Sequence, residues 1–313
     1  MEQIPLVDIS GWSTGTVAER AAVARALDVA FSASGFALVS GHGVDLAMAD
    51  DVRRHASAFF HAPSSLKEPL RTSGLGQSGW IPPGMEANGY ATGVETPPDL
   101  KESLSFSAEH LEGRSAFGST ARWPAAQPGL RDSVEAWISA VDALFIELLQ
   151  ICGEAVGAGA GCFADGCRNA PNTLNINWYP SLADVGRPAE GQYRIGPHTD
   201  FGTLTVLDRQ QGSGGLQVQA ADGRWVDAPW VEGTLTVNVG DLLTMWSGGR
   251  WRSALHRVLP PPVDAPDESL ISLVYFGGAD RDLLVEPLGG VLPAVVAGEY
   301  LRGRLDGITV SSI

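Results

Sequence analysis

Apolar positions in the first half of the chain mostly follow a helical period. From Thr16 to Ser34 they recur at threes and fours, with Val17, Ala21, Val23, Leu27 and Phe31 on one stripe, which predicts an amphipathic helix. A second helix is expected over Leu46 to Phe60. Two short runs, Ile4-Pro-Leu-Val-Asp-Ile and Phe36-Ala-Leu-Val-Ser, read as strands, the second ended by Gly41-His42-Gly43. Gly74 to Pro98 is rich in glycine and proline and is expected to be an irregular loop of the kind that forms lids. The longest helical pattern runs from Pro128 to Val156. There Leu130, Val134, Trp137, Ile138, Val141, Leu144, Phe145, Leu148 and Leu149 make a broad apolar face, suited to bracing a sheet.

The texture changes at Thr173. Segments with strand character follow one another between turns: Leu174 to Tyr179, Thr203 to Leu207, Gly215 to Gln219, Thr234 to Val239, Asp241 to Met245, His256 to Leu259 and Leu270 to Phe276. This spacing predicts a sandwich or barrel. Asp222-Gly223, set between Leu216-Gln-Val-Gln and Trp225-Val, predicts a hairpin. No internal repeat interrupts the series. The expected fold is therefore mainly β with flanking helices. An N-terminal helical and strand region (1–98) packs on a β core (99–313) that includes the long bracing helix, the two forming one structural unit.

Composition narrows the function without naming it. Hydrophobic residues make up 44% and charged residues 18% of the 313, as in an ordinary folded protein. The 21 Lys and Arg against 36 Asp and Glu give a formal charge of −15, which repels phosphate backbones and anionic lipid surfaces. No apolar run approaches the roughly 20 residues that span a bilayer, and the start MEQIPLVDIS lacks a basic segment followed by an apolar one. A small-molecule partner is expected, with no nucleic acid, no membrane and no obligate protein partner, in the cytoplasm. Cys152, Cys162 and Cys167 lack paired spacing and a nearby histidine, and read as inert thiols.

The chemistry gathers in the β-rich half. In Pro197-His198-Thr199-Asp200-Phe201-Gly202 the histidine and aspartate stand two apart, so an extended strand projects both to one face. His256 opens the apolar run Arg257-Val258-Leu259, and a neighbouring strand could bring it to the same point. Two imidazoles and one carboxylate on one side of a metal form the facial triad associated with non-haem Fe(II), which leaves positions open for substrate and dioxygen. The other four histidines, His42, His55, His61 and His110, lie in the N-terminal third and read as structural or surface residues, His42 in a Gly-flanked turn.

The order of these motifs resembles the isopenicillin N synthase-like family of Fe(II) and 2-oxoglutarate-dependent oxygenases over nearly the whole chain. The matching pieces are Ile4-Pro-Leu-Val-Asp-Ile, Gly35-Phe36 through Val44, Asp99-Leu-Lys-Glu-Ser103, Asn177-Trp-Tyr-Pro180, His198-Thr-Asp-Phe-Gly-Thr-Leu-Thr205, Gly215-Leu-Gln-Val218, Asn238-Val-Gly-Asp-Leu242 and Arg252-Ser-Ala-Leu-His-Arg-Val258. The resemblance implies a double-stranded β-helix, or jelly roll. It also implies an enzyme that oxidises 2-oxoglutarate with dioxygen to succinate and carbon dioxide while abstracting hydrogen from a small organic molecule, in a setting such as secondary metabolism. Asn177 matches the position near the chelating carboxylate of 2-oxoglutarate, and Tyr179 the tyrosine that helps hold the distal one.

One departure stands out. The family fixes the distal carboxylate with an Arg-x-Ser pair, a guanidinium clamp plus a hydroxyl. Here Leu270-Ile271-Ser272 occupies that place, and no arginine lies between Arg257 and Arg281. A buried carboxylate without a cation loses several kcal/mol of hydration uncompensated, so another cation is expected. Arg209 is the first candidate, because Thr203, Thr205, Leu207 and Arg209 alternate onto the face of the metal ligands. Its rival roles are to bind a carboxylate of the primary substrate, or to be a surface arginine at a strand end paired with Asp208 or another acid. Arg194, Arg250 and Arg252 are weaker candidates, Arg252 being expected in a structural salt bridge. Trp80 in the loop, Phe201 and Leu207 are candidates for an apolar wall over the metal. An oxidase that uses iron and dioxygen without 2-oxoglutarate, and a non-catalytic binding protein on this scaffold, stand as alternatives.

Overall fold

Strict alternation along the strands decides the architecture seen in a computed structural model, which describes residues 4–72, 74, 77–89, 93, 96–107, 123–213, 215–290 and 292–308. Its principal elements begin with β1 (Leu6–Asp8), α1 (Val17–Ser34), β2 (Phe36–Ser40), α2 (Ala47–Phe60), β3 (Gly79–Ile81), β4 (Glu102–Ser107) and α3 (Pro128–Ala155). Then come β5 (Thr173–Tyr179), β6 (Ile195–His198), β7 (Leu204–Asp208), β8 (Leu216–Gln219), β9 (Trp225–Asp227) and β10 (Leu235–Val239). The last are α4 (Asp241–Trp246), β11 (His256–Val258), β12 (Leu270–Phe276) and α5 (Ala297–Ile308). An eight-stranded sheet has the order β1-β2-β10-β7-β12-β5-β4-β3, and a four-stranded one the order β6-β11-β8-β9. Only β1 and β2 run parallel among these pairs. This is the mainly β, double-stranded β-helix layout expected.

The two faces of the large sheet differ in kind. One carries Leu104, Phe106, Leu174, Ile176, Leu204, Val206, Val237, Leu273 and Tyr275, all buried in the main apolar core. That core is completed by α3, whose Val141, Phe145, Leu148 and Leu149 are fully buried. The Phe145 and Tyr275 rings meet at 5.8 Å, and a methyl group on Gly277 would collide with Phe145, so helix and sheet touch where glycine leaves room. The opposite face carries Ser103, Ser105, Asn175, Asn177, Tyr179, Thr205, Asn238 and Ser272, most of which line cavities. Polar residues thus occupy the interior of the β-helix, and the helices cover its exterior.

Local signals explain the helix ends. Thr16 and Glu19 form a reciprocal capping box at the start of α1, and Gly35 at its end adopts φ 74° and returns its N–H to the Phe31 carbonyl, a conformation that favours glycine. α3 is also long and apolar enough by length and composition to cross a membrane, although charged and polar residues interrupt its apolar positions. More than half of its most apolar window is buried within the protein.

Three expectations need correcting. Asp241 to Met245 is the helix α4 rather than a strand: Leu242, Leu243 and Trp246 are buried, a spacing that suits one helical face as well as it suits a short strand. The supposed loop from Gly74 to Pro98 contains β3, which pairs with β4 through Trp80 and Leu104. Arg252 donates to the Gln219 carbonyl at 3.3 Å and has no acidic partner within 4.0 Å among the described residues. His110 lies outside the described residues. His42 sits between Gly41 (φ 67°) and Gly43 (φ 71°) and accepts the Val44 N–H at 3.1 Å. The thiols of the buried Cys152 and Cys167 are pushed up well beyond the ordinary range by burial.

Candidate active site

Cross-strand register brings the three candidate ligands together. His256 on β11 pairs directly with His198 on β6, so the rings emerge on one face with centroids 4.2 Å apart. Asp200 follows two residues after His198, and its Oδ1 stands 3.7 Å from Nε2 of each histidine. Each imidazole is oriented by its own chain: Nδ1 of His198 donates to the Gly196 carbonyl at 2.8 Å and Nδ1 of His256 to the Ala254 carbonyl at 3.1 Å. A carbonyl only accepts, so Nδ1 carries the proton and both Nε2 lone pairs face the centre.

The carboxylate is oriented with equal care. Oδ2 of Asp200 accepts from Thr205 Oγ1 at 2.5 Å and Asn238 Nδ2 at 2.7 Å, which leaves Oδ1 turned to the imidazoles. Thr205 and Asn238 are themselves paired across β7 and β10. Burial opposes ionisation of Asp200, yet the two histidines and these donors hold its carboxyl below the ordinary value. Burial and the neighbouring His198 push His256 down to about 4. A neutral imidazole at His256 and an ionised carboxylate at Asp200 are forms a divalent cation needs, and the ligand atoms of the three residues lie within 4.8 Å of one another. This donor set fits Fe(II) with positions left open.

The site divides two cavities. The larger, about 340 Å³, contains Asn177, Tyr179, Arg194, Leu207, Arg209, Leu270 and Ser272. Tyr179 and Leu270, and Asn177 and Ser272, face one another across β5 and β12, and the Tyr179 hydroxyl meets Ser272 Oγ at 3.1 Å. Ser103 Oγ donates to Asn177 Oδ1 at 2.7 Å, which fixes the orientation of the amide. The smaller cavity, about 160 Å³, is lined among the described residues by Ile81, Asn88, Ser105, Asn175, Phe201 and Leu301 with others. His198 and Asp200 border both.

Other expected residues scatter. Phe201 lies on the smaller cavity, with the Arg304 guanidinium 4.6 Å from its ring. Leu207 lies on the larger one, away from Phe201. Trp80 is on the exterior face of β3: it is 3% exposed, and its Nε1 donates to Glu102 at 3.2 Å while Lys67 stands over its ring. Ile81, one residue on, faces the cavity instead. Asp208 pairs with Arg53 rather than Arg209, because adjacent strand residues point to opposite faces. Arg209 donates to the Ala228 carbonyl at 3.0 Å and to that of Pro229, and burial pushes its guanidinium down to about 10.

The reading from sequence missed Thr205, Asn238 and the props behind the metal strand. Asp99 accepts the Gly196 N–H at 3.0 Å and the Asn88 amide at 2.6 Å, and Lys101 reaches Glu86 and Ser103. Alternation in Asp99-Leu-Lys-Glu-Ser103 was the available signal.

The sequence pattern described as the 2OG-Fe(II) oxygenase superfamily matches residues 171–277, and that described as the N-terminal part of a non-haem dioxygenase in morphine synthesis matches 4–126. Validamycin A dioxygenase of Streptomyces hygroscopicus subsp. limoneus is 38% identical over 95% of this chain and 84% of its own length. A homoarginine-6-hydroxylase of Glycine max is 28% identical over 90% and 88%. Among solved structures, a full-length Neurospora crassa protein in complex with alpha-KG superposes with a TM-score of 0.84 at 27% identity, covering 97% of this chain and 96% of that one.

Proposed function

The chain belongs to the 2OG-Fe(II) oxygenase superfamily and is a 2-oxoglutarate-dependent dioxygenase acting on a small molecule; from that premise we propose that it hydroxylates a small polar compound carrying hydroxyl or amino groups. On this reading His198, Asp200 and His256 hold the iron. Asn177, Tyr179 and Ser272 hold 2-oxoglutarate in the larger cavity, and the primary substrate enters the smaller one. Bound iron with 2-oxoglutarate supplies the activation of dioxygen. The alternatives of a 2-oxoglutarate-independent oxidase and a binding protein give way to the family membership.

The observation that carries the substrate reading is Asn175. Its Oδ1 is buried without a hydrogen-bond partner among the described residues in the smaller cavity, and a buried acceptor of this kind calls for a donor. Asn88 and Ser105 add polar groups there, while Ile81, Phe201 and Leu301 supply apolar walls that orient the substrate and exclude water. A volume near 160 Å³ suits a single ring or a short chain. That relatives are named for validamycin A and homoarginine supports a polar substrate.

The test is succinate formation by the iron-loaded protein with 2-oxoglutarate and a panel of aminocyclitols, amino acids and apolar aromatics. Stimulation by a hydroxyl- or amine-bearing member, lost in Asn175→Leu, is the expected result. Stimulation by apolar members alone would overturn the substrate reading.

A further inference from the structure

The 2-oxoglutarate site leaves one charge unanswered, because Leu270 faces Tyr179 across β12 and β5 where a cation is needed. We propose that Arg194, the residue just before the strand that carries His198, supplies the guanidinium for the distal carboxylate, with the Tyr179 and Ser272 hydroxyls beside it. The proposal rests on 2-oxoglutarate occupying the larger cavity.

Three observations converge on Arg194. It borders that cavity and its guanidinium carbon lies 5.5 Å from the centre of the Tyr179 ring. Its side chain is 2% exposed and is tied by Nη1 to Glu268 Oε1 at 2.7 Å and by Nη2 to the Glu268 carbonyl at 2.9 Å. Its Nε is buried with no acceptor among the described residues. Native proteins rarely leave a buried donor unpaired, and an Nε–H beside an Nη2–H is the edge that receives a carboxylate side-on. Glu268 is in turn held by the Ser213 N–H and by Ser213 Oγ at 2.6 Å, so Arg194 is fixed before any ligand arrives and little side-chain freedom remains to be lost.

Arg209 fits the role less well. Its donors engage the carbonyls of Ala228 and Pro229 and, at 3.4 Å, the Thr236 hydroxyl, which turns it toward β9 and β10. Arg194 is the arginine stationed over Tyr179.

The test is an anaerobic titration of the Fe(II)-loaded protein with 2-oxoglutarate, reading the visible absorption band of the chelate rather than turnover. The wild type should give a saturable band. Arg194→Leu should bind iron normally and weaken 2-oxoglutarate binding about a hundredfold, the range found when one partner of a buried charge pair is removed. Leu270→Arg added to that variant should recover most of the loss, since it places a guanidinium on the other side of the same carboxylate. Should Arg194→Leu fold poorly, Arg194→Lys, which keeps the charge beside Glu268, should show a smaller loss of the same kind. Wild-type affinity in Arg194→Leu, or a greater loss in Arg209→Leu, would overturn the proposal. Absence of the band in the wild type with iron bound would instead sink the underlying placement of 2-oxoglutarate.

Discussion

Asp200 shows how much of a metal site resides in residues that never touch the metal. Its Oδ2 is consumed by Thr205 and Asn238, so the oxygen offered to the ion is chosen by a strand pair, not by the ligand itself. Thr205→Val and Asn238→Ala should each lower Fe(II) affinity about 10- to 100-fold, with helix and sheet content unchanged; competition against a chromophoric chelator measures it, and unaltered affinity in both would refute the role. His198 and Asp200 were legible because period-two spacing puts both on one side of a strand. Thr205 carried the same parity signal, but a threonine has too many ordinary uses in strands for its type to announce a function. Trp80 and Ile81 show the opposite hazard. Without knowing that β3 exists, nothing says which of two adjacent apolar residues faces the cavity, and the larger one turned out to be the outward one.

At the scale of elements, β4 is the piece whose meaning emerges only in three dimensions. Its exterior face places Glu102 against Lys67 at 2.8 Å and Trp80 at 3.2 Å, with Lys67 and Glu102 side chains 8% and 3% exposed. Lys67→Met should strand that carboxylate and cost about 3–5 kcal/mol, read by urea unfolding; a loss below about 1 kcal/mol would show that water or another cation reaches Glu102. Just before β4, Asp99 braces Gly196, and burial pushes its carboxyl up to about 6 from 3.8. The folded state therefore holds this proton more tightly than the unfolded chain. Its contribution is most favourable below about pH 4 and is lost as the pH rises through about 6, a change on the order of 3 kcal/mol. Asp99→Asn should accordingly gain stability relative to the wild type as the pH rises from about 4 to about 6, measured on metal-free protein. A difference independent of pH would place the titration of Asp99 elsewhere. The long helices were readable from periodicity alone, whereas α4 was not, because its six residues contain too few turns to separate a helical period from a strand's.

Across the whole molecule, the metal site is a partition. Strands of the large sheet present Asn177, Tyr179 and Ser272 to one cavity and Ser105 and Asn175 to the other, while His198 and Asp200 border both. The jelly-roll class was foreseeable from the run of short strands and from motif order, but this division was not, since it depends on which strands become neighbours: β5 lies between β12 and β4, elements far apart in the chain. One strand, β5, therefore serves both sides, with Asn175 and Asn177 only two residues apart on the same face. Damage on either side of such a partition should separate kinetically. Tyr179→Phe should raise the KM for 2-oxoglutarate severalfold with little change for the primary substrate, because it removes one hydroxyl from the pair with Ser272 at 3.1 Å. Ile81→Ala should raise the KM for the primary substrate about tenfold, the scale of a few lost methyl contacts, and leave the 2-oxoglutarate-dependent absorption band of the iron protein unchanged. Crossed effects of equal size in both variants would mean that the two cavities are one chamber and that the ligands do not divide at the metal.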